Sequence, residues 1–244
     1  MSAPRRLAVL VAILGIASAS RARAEHHHGG EPVPSAELGV RIAVSAIAAR
    51  YDTGAYVGDY EGLALAVGFA RGRFAVHAIA PVYRLRENGA DRFGPGDLMV
   101  GGDAVALATG PWMVGGSVMA GAPTGDGLRG LGMGHAMAMA ALWGRRAQGR
   151  FATVASVGYA RAFDAESHHD HGAWPLVEPM NMAEVTGALG ADATVARRWR
   201  LGARAAIAVA TGAGSTRAIA AGGIRWVGAR LEVATELQVG VLGD

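Results

Sequence analysis

Six of the eight histidines stand in two tracts, His26-His27-His28 and His168-His169-Asp170-His171. Imidazoles with a carboxylate suit Zn, Cu or Ni. If the chain is cut after Ala24, His27 becomes the third residue of a free N-terminus. A free amine, two backbone amides and that imidazole form a square-planar Cu(II) or Ni(II) site. The candidate metal ligands are therefore His27, His168, His169 and His171. The competing reading is that His-rich tracts on loops bind metal only weakly and without purpose. The topology derived below puts the two tracts on opposite rims, so a shared site is not expected.

Acid–base and nucleophilic chemistry has fewer candidates: His77, His135, Ser117, Ser156 and Asp103. There is no G-x-S-x-G elbow, and both histidines fall in alternating segments rather than in a recognisable site. The chain has no Lys and no Cys. That removes a Walker phosphate loop, a Schiff-base amine, thiol catalysis, disulfides and Cys-ligated zinc. The Gly-rich runs at 125–134 and 211–215 precede no predicted helix, so they lack the dipole that phosphate loops use. The expectation is a protein that is not an enzyme, with no catalytic residue and no organic cofactor.

The remaining ionised residues are arranged by parity. From Met182 to Gly212, Glu184, Thr186, Ala188, Gly190, Asp192 and Thr194 share one parity, and Val185, Leu189 and Val195 the other. After Arg197-Arg198 the pattern resumes. Trp199, Leu201, Ala203, Ala205, Ile207 and Val209 stand opposite Arg200 and Arg204. A period of two is that of a strand. An apolar face tipped with Trp, backed by full charges, suits a strand with lipid on one side and a wet lumen on the other. The same logic assigns Asp103, Arg217, Arg225, Glu232 and Glu236 to the lumen with Glu184, Asp192, Arg200 and Arg204. Arg41 belongs with them. Opposed charges there can pair across a narrow lumen, and the arginines on neighbouring strands can attract anions. A soluble barrel or sandwich with its apolar face inward is the alternative. It would leave the charged face to be explained by water or pairing, since burying an unpaired charge is very costly.

The N-terminus agrees with export. Arg5 and Arg6 precede an apolar run from Leu7 to Ala17, and Ala22-Arg23-Ala24 has the A-x-A form of a cleavage site. The run is short of the about 20 residues of a membrane helix. The expected organisation is a signal peptide over 1–24, a flexible His- and Pro-rich leader over 25–36, and a barrel over 37–244. Four arginines leave with the signal, so 19 Arg face 20 acids in the remainder. No basic surface for nucleic acid survives that subtraction.

Alternating segments recur along the chain, with Leu38, Val40, Ile42 and Val44 in the first and Leu63, Leu65, Val67 and Phe69 in the second. The count comes to about eleven strands, and the fold class expected is an all-β, up-and-down antiparallel transmembrane β-barrel of about 10–12 strands. Such barrels have even numbers. Either a strand hides within 164–181 or the first segment lies outside the wall. Short turns are expected at Arg71-Gly72, Gly110-Pro111, Ala147-Gln148, Arg197-Arg198 and Gly228-Ala229. Longer loops are expected at 51–60, 85–96, 122–134, 164–181 and 211–215, on the outer side.

Two loops carry a resemblance. Gly94-Pro95-Gly96-Asp97-Leu98 enters one strand, and Pro123-Thr124-Gly125-Asp126 leaves the next, followed by Leu131-Gly132-Met133-Gly134. This pairing resembles the outer-membrane "MetA-pathway of phenol degradation" family of transporter-like barrels. The resemblance implies passage of small, often apolar or aromatic, compounds, and brings no binding residues with it. Read from the residues alone, Gly and Asp shape the turns. The expected partners are outer-membrane lipid, a small-molecule solute and the outer-membrane assembly machinery. The alternatives are a metal-binding surface protein and a barrel plugged by its own charges. N-terminal sequencing of the protein taken from outer membranes should begin at Glu25; an N-terminus at Met1 contradicts the cleavage.

Overall fold

The computed structural model describes residues 11–12, 14–19, 35–52, 57–87, 90–163, 182–212, 214, 216–227 and 231–242. They form one antiparallel sheet. Two short strands come first, β1 (Val11–Ala12) and β2 (Leu14–Ala19). The long strands begin with β3 (Ser35–Asp52), β4 (Val57–Gly72) and β5 (Phe74–Glu87). A short β6 (Ala90–Pro95) folds back on β5. Then follow β7 (Leu98–Thr109), β8 (Trp112–Ala122), β9 (Ala136–Gln148) and β10 (Phe151–Phe163). The last four are β11 (Ala183–Ala196), β12 (Trp199–Ala210), β13 (Arg217–Val227) and β14 (Leu231–Leu242). Each long strand pairs with its neighbour in sequence, an up-and-down order with β6 set aside.

The expected all-β, up-and-down architecture is therefore present, with eleven long strands among the described residues. The first expected segment is in the wall as β3, while 164–181, the other place the sequence offers for a twelfth strand, lies outside the described residues. Eleven alternating strands leave β3 and β14 running the same way. Among the described residues no pairing joins these two directly. Instead β2 is antiparallel to both, with Leu231 opposite Ser18 and Leu14 opposite Ala46. A segment expected to leave with the signal thus fills the seam. Its removal after Ala24 would set β3 and β14 side by side as parallel edges.

The face each residue takes follows the sequence parity. Val185, Leu189 (66% exposed) and Val195 lie on the outside of β11, as do Trp199, Leu201, Ile207 and Val209 on β12. Val40, Ile42 and Val44 do the same on β3, and Leu63, Leu65 and Phe69 on β4. The buried residues Tyr83, Leu85, Val105, Met137, Trp143, Ala160, Glu184 and Ala221 all lie on the opposite face. A single-layer sheet can shield one face only by curling round it, so that face is the inside. The strand from 135 to 143, with Met and Ala at both parities, is resolved by this rule: Met137 and Trp143 are inside and Leu142 is outside.

The outer wall has the layering of a membrane protein. On β4, β5 and β7–β13 its outward rows hold no ionised residue from the short-turn aromatics up to the level of Tyr159, above which Arg161 is exposed on β10. Phe74, Trp112, Phe151, Trp199 and Trp226 edge the short-turn rim; Phe93, Tyr159 and Phe163 stand toward the other. Phe151 and Phe163 are the two ends of the 13-residue β10. At about 3.3 Å per residue and a tilt of about 40°, the row from Phe151 up to the exposed Arg161 spans roughly 25 Å along the axis, which matches a band about 25 Å tall. Above Leu63 and Val82 the outward rows turn charged at once. Arg84 meets Asp91 at 2.7 Å and Glu61 at 3.8 Å, and Arg86 meets Asp91 at 3.2 Å and Asp59 at 3.7 Å. The hydrogen bond from Arg84 holds the Asp91 carboxyl below its ordinary range, so this pairing weakens only in acid, as pH falls through that lowered value.

Three turns on the short rim set a left-handed Gly first of two loop residues: Gly72 (φ 61°), Gly110 (φ 53°) and Gly149 (φ 61°). That is where a type II′ hairpin turn wants Gly. The turn expected at Ala147-Gln148 accordingly lies two residues on, at Gly149-Arg150, because Gly149 can take the positive φ. The connection 85–96 is also shorter than expected, since Leu85–Glu87 and β6 form a hairpin above the wall. Val157, at the middle of β10 and 57% exposed, tests the orientation. Val157→Arg should cost about 2–4 kcal/mol in reversible urea unfolding from lipid vesicles. A change within about 0.5 kcal/mol, as at a wetted surface, contradicts it.

Candidate functional site

The inner face has three levels. Near the outer mouth, the loop after β8 folds against the wall instead of standing away from it. Leu131 (1% exposed) and Met133 are buried, Met133 clustering with Met137 of β9 and Ala162 of β10. The loop is tied to the β6–β7 junction. The Asp97 carboxylate accepts from the backbone N–H of Gly125 (2.9 Å) and of Met133 (2.6 Å). The Thr124 hydroxyl donates to the Gly96 carbonyl at 2.9 Å and accepts from the Leu98 N–H at 2.9 Å. The close approach requires glycine: a Cβ on Gly132 would sit 2.5 Å from Asp97 Oδ1, and one on Gly96 2.4 Å from the Tyr83 ring. The two motifs, 94–98 and 123–126, are thus halves of one clasp. Sequence reading treated each Asp as a cap on its own turn. That holds for Asp126, which accepts from Arg129 N–H at 3.2 Å beside the 3₁₀ turn Gly127–Arg129. Asp97 instead caps the other loop.

A buried ion pair shares this level. Glu184 at the start of β11 meets Arg217 at the start of β13, 2.6 Å apart, with the Glu184 side chain 2% exposed. His135 is also buried here. It lies in the loop just before β9, not in a wall strand as its sequence neighbourhood suggested.

The middle level holds His77 and Asp103, with Nδ1 and Oδ2 3.6 Å apart. Among the described residues, Oδ1 of Asp103 and Nε1 of Trp143 are buried without a protein partner. Trp143 lies flat on β8 where Gly115 leaves room, since a Cβ there would meet the ring at 2.3 Å. Asp103 is opposite Ser117 on β8, and His77 lies on β5, on the far side of β7. Asp103 therefore stands between His77 and Ser117. A Ser–His–Asp relay needs His in the middle, so this order does not make one. Ser156, on β10, is two further strands away.

The lowest level, toward the short turns, is basic. Arg200 is opposite Arg225 in the register, and Arg204 is opposite Gly190 and Ala221. Like charges directly opposed are unfavourable unless a counter-charge intervenes. Asp192 supplies one: it is opposite Gly202, between Arg200 and Arg204, and its Oδ1 lies 2.6 Å from where a Gly202 Cβ would sit. Pairing within the lumen, expected from the balance of signs, is what these neighbours allow. Glu232 and Glu236 are placed by register opposite Val227 and Gly223, but their side chains, like that of Arg41, lie outside those described. His27, His168, His169 and His171 lie outside the described residues altogether. Among the described residues no group of three or more His, Asp and Glu could hold a metal ion. Of the lumen charges whose side chains are described, Glu184 and Arg217 stand above, Asp103 in the middle, and Asp192 with Arg200, Arg204 and Arg225 below. Arg217→Ala should leave the Glu184 carboxylate buried without its cation, at a cost of about 3 kcal/mol in the same unfolding assay; a loss below about 0.5 kcal/mol would show the pair to be wet.

No family model matches the chain, and no curated protein matches it. In fold it is similar to the COG4313 outer membrane channel from Pseudomonas putida F1, with 13% identity and a TM-score of 0.49 over 98% of this chain and 95% of that one. It is similar to the CymD monoaromatic hydrocarbon channel, with 11% identity and a TM-score of 0.43 over 97% and 88%. It is also similar to the Pseudomonas putida toluene transporter TodX, with 8% identity and a TM-score of 0.40 over 98% and 89%. At these scores none of the three assigns a solute to this chain.

Proposed function

We propose that this chain is an outer-membrane barrel that passes small molecules, apolar or aromatic ones included, through a lumen whose outer mouth is covered by the clasped loop. The observation that carries the reading is the division of faces. An apolar wall with aromatic edges lies outside, its charges confined to the rims, and charged and polar groups lie inside. A soluble barrel would have the reverse. Assembly machinery of the outer membrane and surrounding lipid are the partners such a wall needs.

The lining gives the solute its character. Once the loop is displaced, a molecule entering from the outer side first meets the wall residues Leu85, Met137 and Ala162. These can solvate an apolar body but offer few polar contacts. Below them, His77, Asp103 and the Trp143 indole N–H present donors and acceptors in a confined section. Apolar compounds carrying one or two polar groups match this sequence of surfaces. Expulsion of the loop is the step that opens the route. Each of the two N–H···carboxylate bonds to Asp97 contributes about 1.5–3 kcal/mol, so the clasp favours the covered state.

A structural barrel, closed by its own loop and charges, is the competing reading. Planar-bilayer recordings separate the two. Asp97→Ala should raise the open fraction at least about tenfold, since the loss exceeds 1.4 kcal/mol. Silence from both wild type and Asp97→Ala, in protein that still shows a heat-shifted folded band on a mild-detergent gel, would favour the structural barrel.

A further inference from the structure

The short-turn rim carries a feature that passage does not require. Between the β9–β10 turn and the β11–β12 turn lies a cleft of about 460 Å³. Arg145, Arg150, Arg197, Arg198 and Arg200 line it, with Asp192 as its one carboxylate. Phe151 and Trp199 complete the lining. These last two face outward and are 56% and 43% exposed. Arg145 and Arg200 share the inner face. The cleft therefore straddles the rim, starting among guanidiniums at the lumen edge and ending on the lipid-facing aromatics. Arg150 lies over the Phe151 ring at 5.5 Å and Arg198 over Trp226 at 5.8 Å. Those contacts hold two of the cations at the level where the wall changes from apolar to polar.

Five guanidiniums against one carboxylate make the cleft an attractive place for an anion. A fully water-soluble anion would use only the polar end. The full lining suits an amphiphile with a phosphate head and an apolar body, oriented with the acyl chains along the wall. The rim itself lies at the boundary of a leaflet in which such molecules are present at high concentration. We infer that this cleft binds the headgroup of an anionic phospholipid, with the phosphate among Arg150, Arg197 and Arg198 and the glycerol end against Phe151 and Trp199. The inference rests on the membrane orientation proposed above. A bound lipid here would join two adjacent hairpin turns, so it would brace the rim as well as occupy it.

Native mass spectrometry of the detergent-extracted barrel tests this, with phosphatidylglycerol and phosphatidylcholine of matched chains as probes. The expected result is a first phosphatidylglycerol bound at least tenfold more tightly than phosphatidylcholine. The preference should be lost in Arg150→Gln/Arg198→Gln and kept in Arg71→Gln/Arg73→Gln, which removes the same charge from the same rim outside the cleft. Equal binding of the two lipids overturns the inference, as does equal loss in both double variants, which would report only the general charge of the rim. Displacement of phosphatidylglycerol by millimolar inorganic phosphate also overturns it, by showing a site for free anions. Should Arg150→Gln/Arg198→Gln fail to fold, Arg197→Gln on the exposed turn carries the same comparison. A wild-type protein without a heat-shifted band would instead overturn the barrel itself, which keeps the two failures apart.

Discussion

One constraint organises this chain: an ionised side chain cannot lie unpaired against hydrocarbon, and an apolar row gains nothing by facing water. The cost of a full charge at the midplane of a barrel's lipid face is about 2–4 kcal/mol. A wall of eleven long strands in which even a few residues slipped in register by one would present several such charges to lipid. The apolar rows of the outer face, charged only toward the rims, meet the constraint on one side. On the other, Glu184 pairs with Arg217, and Asp192 stands in register between Arg200 and Arg204. Because a one-residue slip exchanges the two faces, the same division that suits the membrane also fixes the register.

That constraint explains what could be read from the sequence. Trp199 to Val209 alternates strictly, and such alternation admits only one orientation per strand once charges occupy the other parity. The faces of β3, β4, β11 and β12 followed directly. The segment from His135 to Trp143 did not, because Ala and Met at both parities leave the pattern without contrast. Only curvature of the sheet decides that Met137 and Trp143 are inside. Turn positions were legible where the pattern broke sharply, as at Arg197-Arg198. They were missed by two residues at Gly149, where the alternation continues through Gln148 and only the backbone freedom of Gly marks the end.

The clasp lay beyond sequence reading for a different reason. Asp97 and Gly125 are 28 residues apart, and Asp97 and Met133 are 36 apart. Their contact depends on β7 and β8 forming a hairpin of a given length, which returns the chain to the level of β6. Local turn chemistry accounts for Asp126 but gives no sign that Asp97 serves another loop. One signal was present: two Gly-Asp motifs at the same end of one hairpin, with Leu131 and Met133 apolar in a loop that would otherwise be wet. Apolar residues in an exposed connection are a reason to look for a surface they cover. Here that surface is the inside of β5, β6, β9 and β10, which turns a connecting loop into a cover for the mouth.

The orientation of the wall can be measured directly because the chain contains no cysteine. Single Cys substitutions along β12 from Trp199 to Ala210, in outer-membrane vesicles, would be exposed first to a charged water-soluble maleimide and then, once carrying a fluorophore, to a lipid-borne quencher. Positions 200, 202, 204, 206 and 208 should react with the aqueous reagent, and positions 201, 203, 205, 207 and 209 should be quenched from the lipid, in strict alternation. Quenching of the 200–208 series with aqueous labelling of the 201–209 series, or loss of the two-residue period, would contradict a wall that turns its apolar rows outward to lipid.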